Sequence, residues 1–283
     1  MQSFEFQELV DALRRLGLRR GDILNVHSRL FTLGSIRGTP VQEIPAAYLK
    51  AFREVIGPEG TVVVPTYTTT FGRFGTPFVL EESPSEMGTF SEYVRKLPGA
   101  RRTLHPIQSL TALGEQADEL TQDHPLWNVG HDSVWDRMLR RGAKFLSLGL
   151  PPRKSMSCMH QAEYLACAPY LYPKILRGEV IAGGVRIDHD FYLAARYLQY
   201  NIGYDLTRLD QDMESAGALR RVPLGGNAVW MVPMQDAFEI AMKGLRKDIY
   251  YLLQSVPTFR EGEPPLDGTT IRREKTAPRY FLV

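Results

Sequence analysis

Two cysteines among 283 residues are too few for a disulfide framework, and Cys158 and Cys167 fit no zinc spacing. The low cysteine usage suits a reducing compartment, and a cytoplasmic location is the expectation. No apolar run near the N-terminus resembles a signal peptide, and no later run is long enough to span a bilayer. Charge of one sign is also missing. The formal net charge is +2, without a dense Lys/Arg stripe, so nucleic acid and membrane surfaces are not the expected partners. There is no low-complexity tract and no internal repeat. No cluster of His, Cys, Asp and Glu stands out as a metal site, so no metal is expected.

What is present is a hydrophobic fraction of 43% over a length that supports a sizeable core. Leu9, Val10, Leu13 and Leu16 recur at helical spacing up to Gly17. Ile23 to His27 then reads as a strand, Ser28 to Gly38 as a glycine-bearing loop, and Pro40 to Ile56 as a helix closed by Gly57-Pro58. Thr61 to Val64 reads as a second strand. Strand, loop, helix, strand is a βαβ unit, which predicts a parallel pair in an α/β sheet. Later, Ala143 to Leu150 reads as a strand, Val180 to Ile187 as a hairpin, and Phe191 to Tyr200 as a helix. Two strands flank Gly225-Gly226, and an apolar stripe through Phe238, Met242, Leu245, Ile249 and Leu252 marks a helix. Residues 1–256 are expected to form one mixed, mostly parallel α/β domain, with 257–283 as an extended tail.

The stretch Ser155-Met156-Ser157-Cys158-Met159-His160-Gln161-Ala162-Glu163 follows the Phe145 to Leu150 run and a Pro151-Pro152 break. Ser155 or Ser157 is positioned to cap a helix on which His160 and Glu163, three apart, share a face. A carboxylate beside an imidazole orients it, the arrangement of a general base with its orienter. An ordinary surface His–Glu pair has the same spacing. Cys158 lies two positions from His160 and so on a different face, which speaks against a Cys–His nucleophile. Thr66 to Thr70 close the second strand, where ligands gather in open α/β sheets, and offer hydroxyl donors for a developing oxyanion. Plain β-propensity explains the same residues.

Several of these stretches line up in order: Gly21-Asp22, Val26-His27-Ser28 and Leu33-Gly34; Gly57-Pro58-Glu59-Gly60-Thr61 and Pro65-Thr66-Tyr67-Thr68; Ser83-Pro84-Ser85-Glu86-Met87-Gly88; Leu104-His105-Pro106 with Ser109; Asp132-Ser133 before Trp135-Asp136-Arg137; then His160 and Glu163. The ordered set resembles the aminoglycoside 3-N-acetyltransferase family, an acyl-CoA-dependent fold distinct from the GNAT enzymes. The likeness runs from about Leu18 to Tyr164 and resumes at Leu209 to Leu224. Where many members carry Phe-Asp-Pro, this chain has Phe78-Val79-Leu80, and Ser133-Val134 stands for Ser-Pro.

The resemblance implies acetyl-CoA or another acyl-CoA as co-substrate and a primary amine on a sugar as acceptor. It puts the base on His160 and its support on Glu163, with Thr66 and Thr68 beside the reacting carbonyl. The coenzyme groove falls on Ser28, Arg29, Leu30, Leu33, Gly34, Arg37, His105 and Ser109, with Arg101 and Arg102 as further phosphate candidates. The acceptor side falls on Tyr67, Glu81, Glu82, Glu86 and Asp205. Two acceptors stay open: an aminoglycoside polycation, favoured by the glutamates, or an amino sugar on a nucleotide, favoured by Arg73 and the mild positive charge. A non-catalytic CoA-binding or regulatory protein is the alternative of another class.

Overall fold

In the computed structural model, which describes residues 2–197 and 200–259, the centre is a seven-stranded sheet. Across it the strands run Arg220–Leu224, Asn227–Pro233, Lys144–Leu148, Ile23–Ser28, Thr61–Pro65, Leu110–Gly114 and Arg101–Arg102. The predicted parallel pair is present, with Ile23 opposite Thr61. Lys144–Leu148 adds a second parallel neighbour on the other side of Ile23–Ser28, with His27 opposite Ser147. The remaining four pairings of this sheet are antiparallel. The sheet is therefore mixed, and the expectation of a mostly parallel one holds only for its three central strands. A βαβ unit is legible locally, whereas the antiparallel neighbours arise from pairings between distant segments.

Alternation along the central strands sorts the core into two layers. Leu24, Val26, Val62, Val64, Leu146 and Leu148 face a cluster built with the helices Phe6–Arg15, Ile44–Ile56 and Thr89–Arg95. Ile23, Val63 and Phe145 face the opposite cluster, with the helices Val134–Arg140, Met159–Leu165, Thr207–Ser215 and Met234–Lys247. Helices on both faces leave the strand ends as the open edge. Within the first layer Phe52 is fully buried, and Phe90 meets it edge-on with centroids 5.7 Å apart.

Gly34 sits at φ +108°, and a Cβ there would lie 2.0 Å from the carbonyl oxygen of Gln2. The cause is the short strand Ser3–Phe4, which pairs in parallel with Ser35–Ile36. The glycine makes room for the chain's own backbone.

The predicted helix Phe191 to Tyr200 is instead a strand, Phe191–Arg196, paired antiparallel with Leu171–Leu176. Phe191, Leu193 and Ala195 are buried on one side of it, the two-residue period of a half-buried strand. The hairpin at Val180–Ala182 and Val185–Arg186 is as expected, and Val180–Ala182 also pairs in parallel with Phe78–Val79. Of the expected tail, Pro257 to Phe259 carry no helix or strand, and 260–283 lie outside the described residues. Among the described residues no helix is long and apolar enough to cross a membrane.

Phe52→Ala removes a fully buried ring and its edge contact with Phe90. The expected cost is about 3–5 kcal/mol, read from urea unfolding; a loss below ~1 kcal/mol would contradict this account of the first layer.

Candidate functional site

The three parallel strands end on one edge of the sheet, and each hands the chain to a segment with chemistry on it. Ile23–Ser28 leads to Arg29, Thr61–Pro65 to Thr66 and Thr68, and Lys144–Leu148 through Pro151 to the helix Met159–Leu165. Gln161, fully buried, pins that helix: its Oε1 accepts the Gly130 N–H at 2.7 Å and its Nε2 donates to the Gly130 carbonyl at 3.2 Å. The expected serine cap is not made. Helix Met159–Leu165 has no side-chain cap, and the Ser155 hydroxyl lies 3.1 Å from that of Ser147.

On the helix, His160 Nδ1 meets Glu163 Oε1 at 2.6 Å. The glutamate side chain is 1% exposed and the histidine 31%, so one lies in the protein and the other at its surface. The Tyr204 hydroxyl donates to the same Oε1 at 2.8 Å. His160, Glu163 and Tyr204 share a cavity of about 170 Å³ with Arg153, Lys154 and Leu206. A carboxylate on Nδ1 leaves Nε2 as the nitrogen able to take a proton from a bound molecule. Cys158 is buried, and burial pushes its thiol up to about 12, so it holds no thiolate to serve as a nucleophile. Among the described residues no group of three or more His, Cys, Asp or Glu is arranged to hold a metal ion.

A family profile described as aminoglycoside 3-N-acetyltransferase matches residues 24–246. The chain belongs to the aminoglycoside 3-N-acetyltransferase family. Aminoglycoside N(3)-acetyltransferase VII of Streptomyces paromomycinus is 29% identical over 270 residues, 84% of this chain and 90% of that one. Aminoglycoside N(3)-acetyltransferase III of a Salmonella species is 31% identical over 210 residues, 64% of this chain and 70% of the relative. Among solved structures, aminoglycoside acetyltransferase AAC(3)-Xa matches with a TM-score of 0.75 at 24% identity, covering 89% of this chain and 95% of its own. AAC-IIIb, solved with CoASH, matches with a TM-score of 0.74 at 22% identity, covering 90% and 100%. At these identities the structures speak for the fold.

Several residues that the family pattern assigns to ligands are occupied inside this chain. His105 is fully buried; its Nδ1 accepts the Gln108 N–H at 3.0 Å and that of Ile107 at 3.3 Å. Its proton is thereby placed on Nε2, which donates to the Tyr192 carbonyl at 3.1 Å. Ser109, also buried, donates to the Thr66 carbonyl at 2.8 Å and accepts from Arg102 Nε at 2.9 Å. Arg102 donates further to the carbonyls of Thr66, Ser83 and Leu80. His105, Ser109 and Arg102 therefore clamp loops together. Arg101 pairs with Asp118 at 2.5 Å.

The Thr68 hydroxyl donates to the Pro106 carbonyl at 2.6 Å, and Thr66 is buried among Ser109 and Thr111. Both hydroxyls, one or other of which was expected as an oxyanion donor beside backbone N–H groups, hydrogen-bond within the protein in this structure. Leu33 is buried core, and the space beside the Gly34 Cα is taken by Gln2. The parts of the coenzyme loop open to a ligand are Ser28, Arg29, whose guanidinium rests 5.0 Å from the exposed Phe31 ring, and the half-buried Leu30. Arg37 is exposed and pairs with Glu5. A guanidinium and a hydroxyl at the end of a parallel strand fit an acyl-CoA's anionic end, though over fewer residues than the pattern names.

On the acceptor side, Tyr67 is buried against Ser157 and Cys158, beside the start of the helix bearing His160. Glu86 caps the helix Thr69–Phe74, accepting from the Thr70 N–H and from the hydroxyls of Thr69 and Thr70. Partial burial pushes its carboxyl up, but these hydrogen bonds prevail and hold it below the ordinary range. Glu81 accepts the Gly183 N–H, and Glu82 is exposed. Asp205 caps Thr207 and is flanked by Tyr204 and Leu206 of the His160 cavity.

Two residues of this region carry no motif in the sequence: Gln161 and Tyr204. The buried neutral histidines also have a consequence for stability. Burial lowers His27 and His105 to about 3. Each contributes stability that is full above the unfolded value near 6.5 and is lost as pH falls toward about 3, at up to about 1.4 kcal/mol per pH unit per group. Urea midpoints should therefore drop steadily from pH 7 to pH 4, by less in His27→Phe; a flat profile would contradict the burial of these rings.

Proposed function

We propose that this protein transfers an acetyl group from acetyl-CoA to a primary amine of an aminoglycoside, with His160 as general base. The observation that carries the reading is the 2.6 Å contact of His160 Nδ1 with a buried carboxylate, at the edge where three parallel strands end. It is joined to membership of a family whose relatives are named for aminoglycosides. Acetyl-CoA supplies the activated thioester. An ammonium is not a nucleophile, so it first gives up one proton to solvent; as the amine nitrogen bonds to the acyl carbon, His160 Nε2 takes its next proton, the carbon–sulfur bond breaks and that proton passes on to the departing sulfur. Glu163 holds Nδ1–H and offsets the charge that the ring gains. Arg29 and Ser28 are the residues of this chain for the coenzyme's anionic end. Glu81, Glu82, Glu86 and Asp205 give the acceptor side negative charge, which suits a polycation. The cytoplasm, where acetyl-CoA and reduced thiols occur together, is the proposed place of action, and the two free cysteines support it.

Thiol release from acetyl-CoA, followed with an aminoglycoside and with a nucleotide-linked amino sugar, tests the acceptor; turnover of the second alone would overturn it. His160→Ala should lower kcat by about 10²–10⁴-fold while CoA still raises the melting temperature. Cys158→Ala should keep its activity, and initial-rate lines should intersect, as direct transfer requires. Glu82→Gln should raise the acceptor KM with little change in kcat, and added salt should mimic it.

A further inference from the structure

The carboxylate that orients His160 is shared. Tyr204 Oη and His160 Nδ1 both meet Glu163 Oε1, at 2.8 and 2.6 Å, while the buried Oε2 has no hydrogen-bond partner among the described residues. The Tyr204 ring stands nearly edge-on to the imidazole, with centroids 5.6 Å apart and planes at 65°. Arg196 lies 5.4 Å from the centre of that ring, and its Nη1 donates to the Ile202 carbonyl at 2.6 Å. The phenol is buried, and burial, then the Glu163 charge, holds it protonated far beyond neutral pH. It is a permanent donor.

One oxygen with two donors divides its charge between them. The stronger the phenol's bond, the less basic Oε1 is toward Nδ1–H, and the less the carboxylate stabilises an imidazolium. The other groups facing the dyad do not do this. Tyr170 is a second buried phenol that feels the Glu163 charge, but its hydroxyl lies outside hydrogen-bond geometry and leaves Oε1 to Tyr204 and His160. Arg153 and Lys154 line the cavity wall, and Arg153 leans to Asp210 at 3.5 Å. Asp205 is spent on Thr207, and the Asp248 charge acts on Tyr170.

We propose that Tyr204 is a positioning residue of the reaction: its hydroxyl fixes the Glu163 carboxylate against His160 Nδ1 and tempers the basicity of the imidazole. The inference rests on His160 as the base, and its test does not need a known acceptor. The His160 ring is followed by NMR titration in the full chain. Tyr204→Phe should move its midpoint upward by about half a pH unit or more. A 3-fluorotyrosine at position 204, a stronger donor of nearly the same volume, should move it downward. With an acceptor that is turned over, the acid limb of kcat/KM should follow the same directions while the KM for acetyl-CoA stays unchanged. Unmoved midpoints, or shifts of the same sign in both proteins, would overturn the proposal. So would lost turnover with an unmoved midpoint, the mark of a merely structural tyrosine. If Tyr204→Phe fails to fold, the fluorinated protein decides alone. If no acceptor is acetylated but the midpoints move as stated, the function reading fails, and only the effect of Tyr204 on the His160–Glu163 pair stands.

Discussion

Three neighbouring strands that run the same way impose the organisation of this protein. A parallel pair cannot be closed by a tight turn, so each connection must cross a face of the sheet, and all three strands release the chain on one edge. The outer strands pair antiparallel, so the two outermost, Arg220–Leu224 and Arg101–Arg102, again run with the central three and end on the same edge. Arg29, Thr66 and the helix of His160 come from segments far apart in sequence and share that edge for this reason. The half-buried Arg102 then ties the second exit to its surroundings, donating to Thr66, Leu80, Ser83 and Ser109.

Solvent divides the His160–Glu163 pair. Glu163 lies inside the protein, where two donors meet it, whereas His160 stands at the surface. His27 and His105, away from that boundary, are held neutral by burial. Three histidines in familiar motifs thus do different work, and what separates them is access to water.

Much of the frame was legible in the sequence, because it is local. The strands Ile23–Ser28 and Thr61–Pro65, the helix between them and the 160/163 pair follow from short-range periodicity. The missed elements are non-local. Phe191–Arg196 carries Leu, Ala and Arg, good helix formers, and becomes a strand because Leu171–Leu176 offers it a ladder. Glycine is ambiguous in the same way: Gly34 reads as room for a ligand and makes room for Gln2. Hydroxyls in a ligand motif give no sign that a carbonyl such as that of Pro106 has already claimed them. Tyr204 was invisible for a related reason, since its partner lies 41 positions away.

Cys167 follows the helix Met159–Leu165 in a left-handed turn, φ +53°, and is exposed, while the chain's only other thiol is buried. It lines an apolar cleft of about 520 Å³ with Trp127, Tyr164 and Tyr172. The protein thus carries a ready address for a single thiol-reactive dye, two turns from His160 and next to a tryptophan able to quench it. A fluorophore attached there would report movement of the helix that bears His160, without an engineered cysteine.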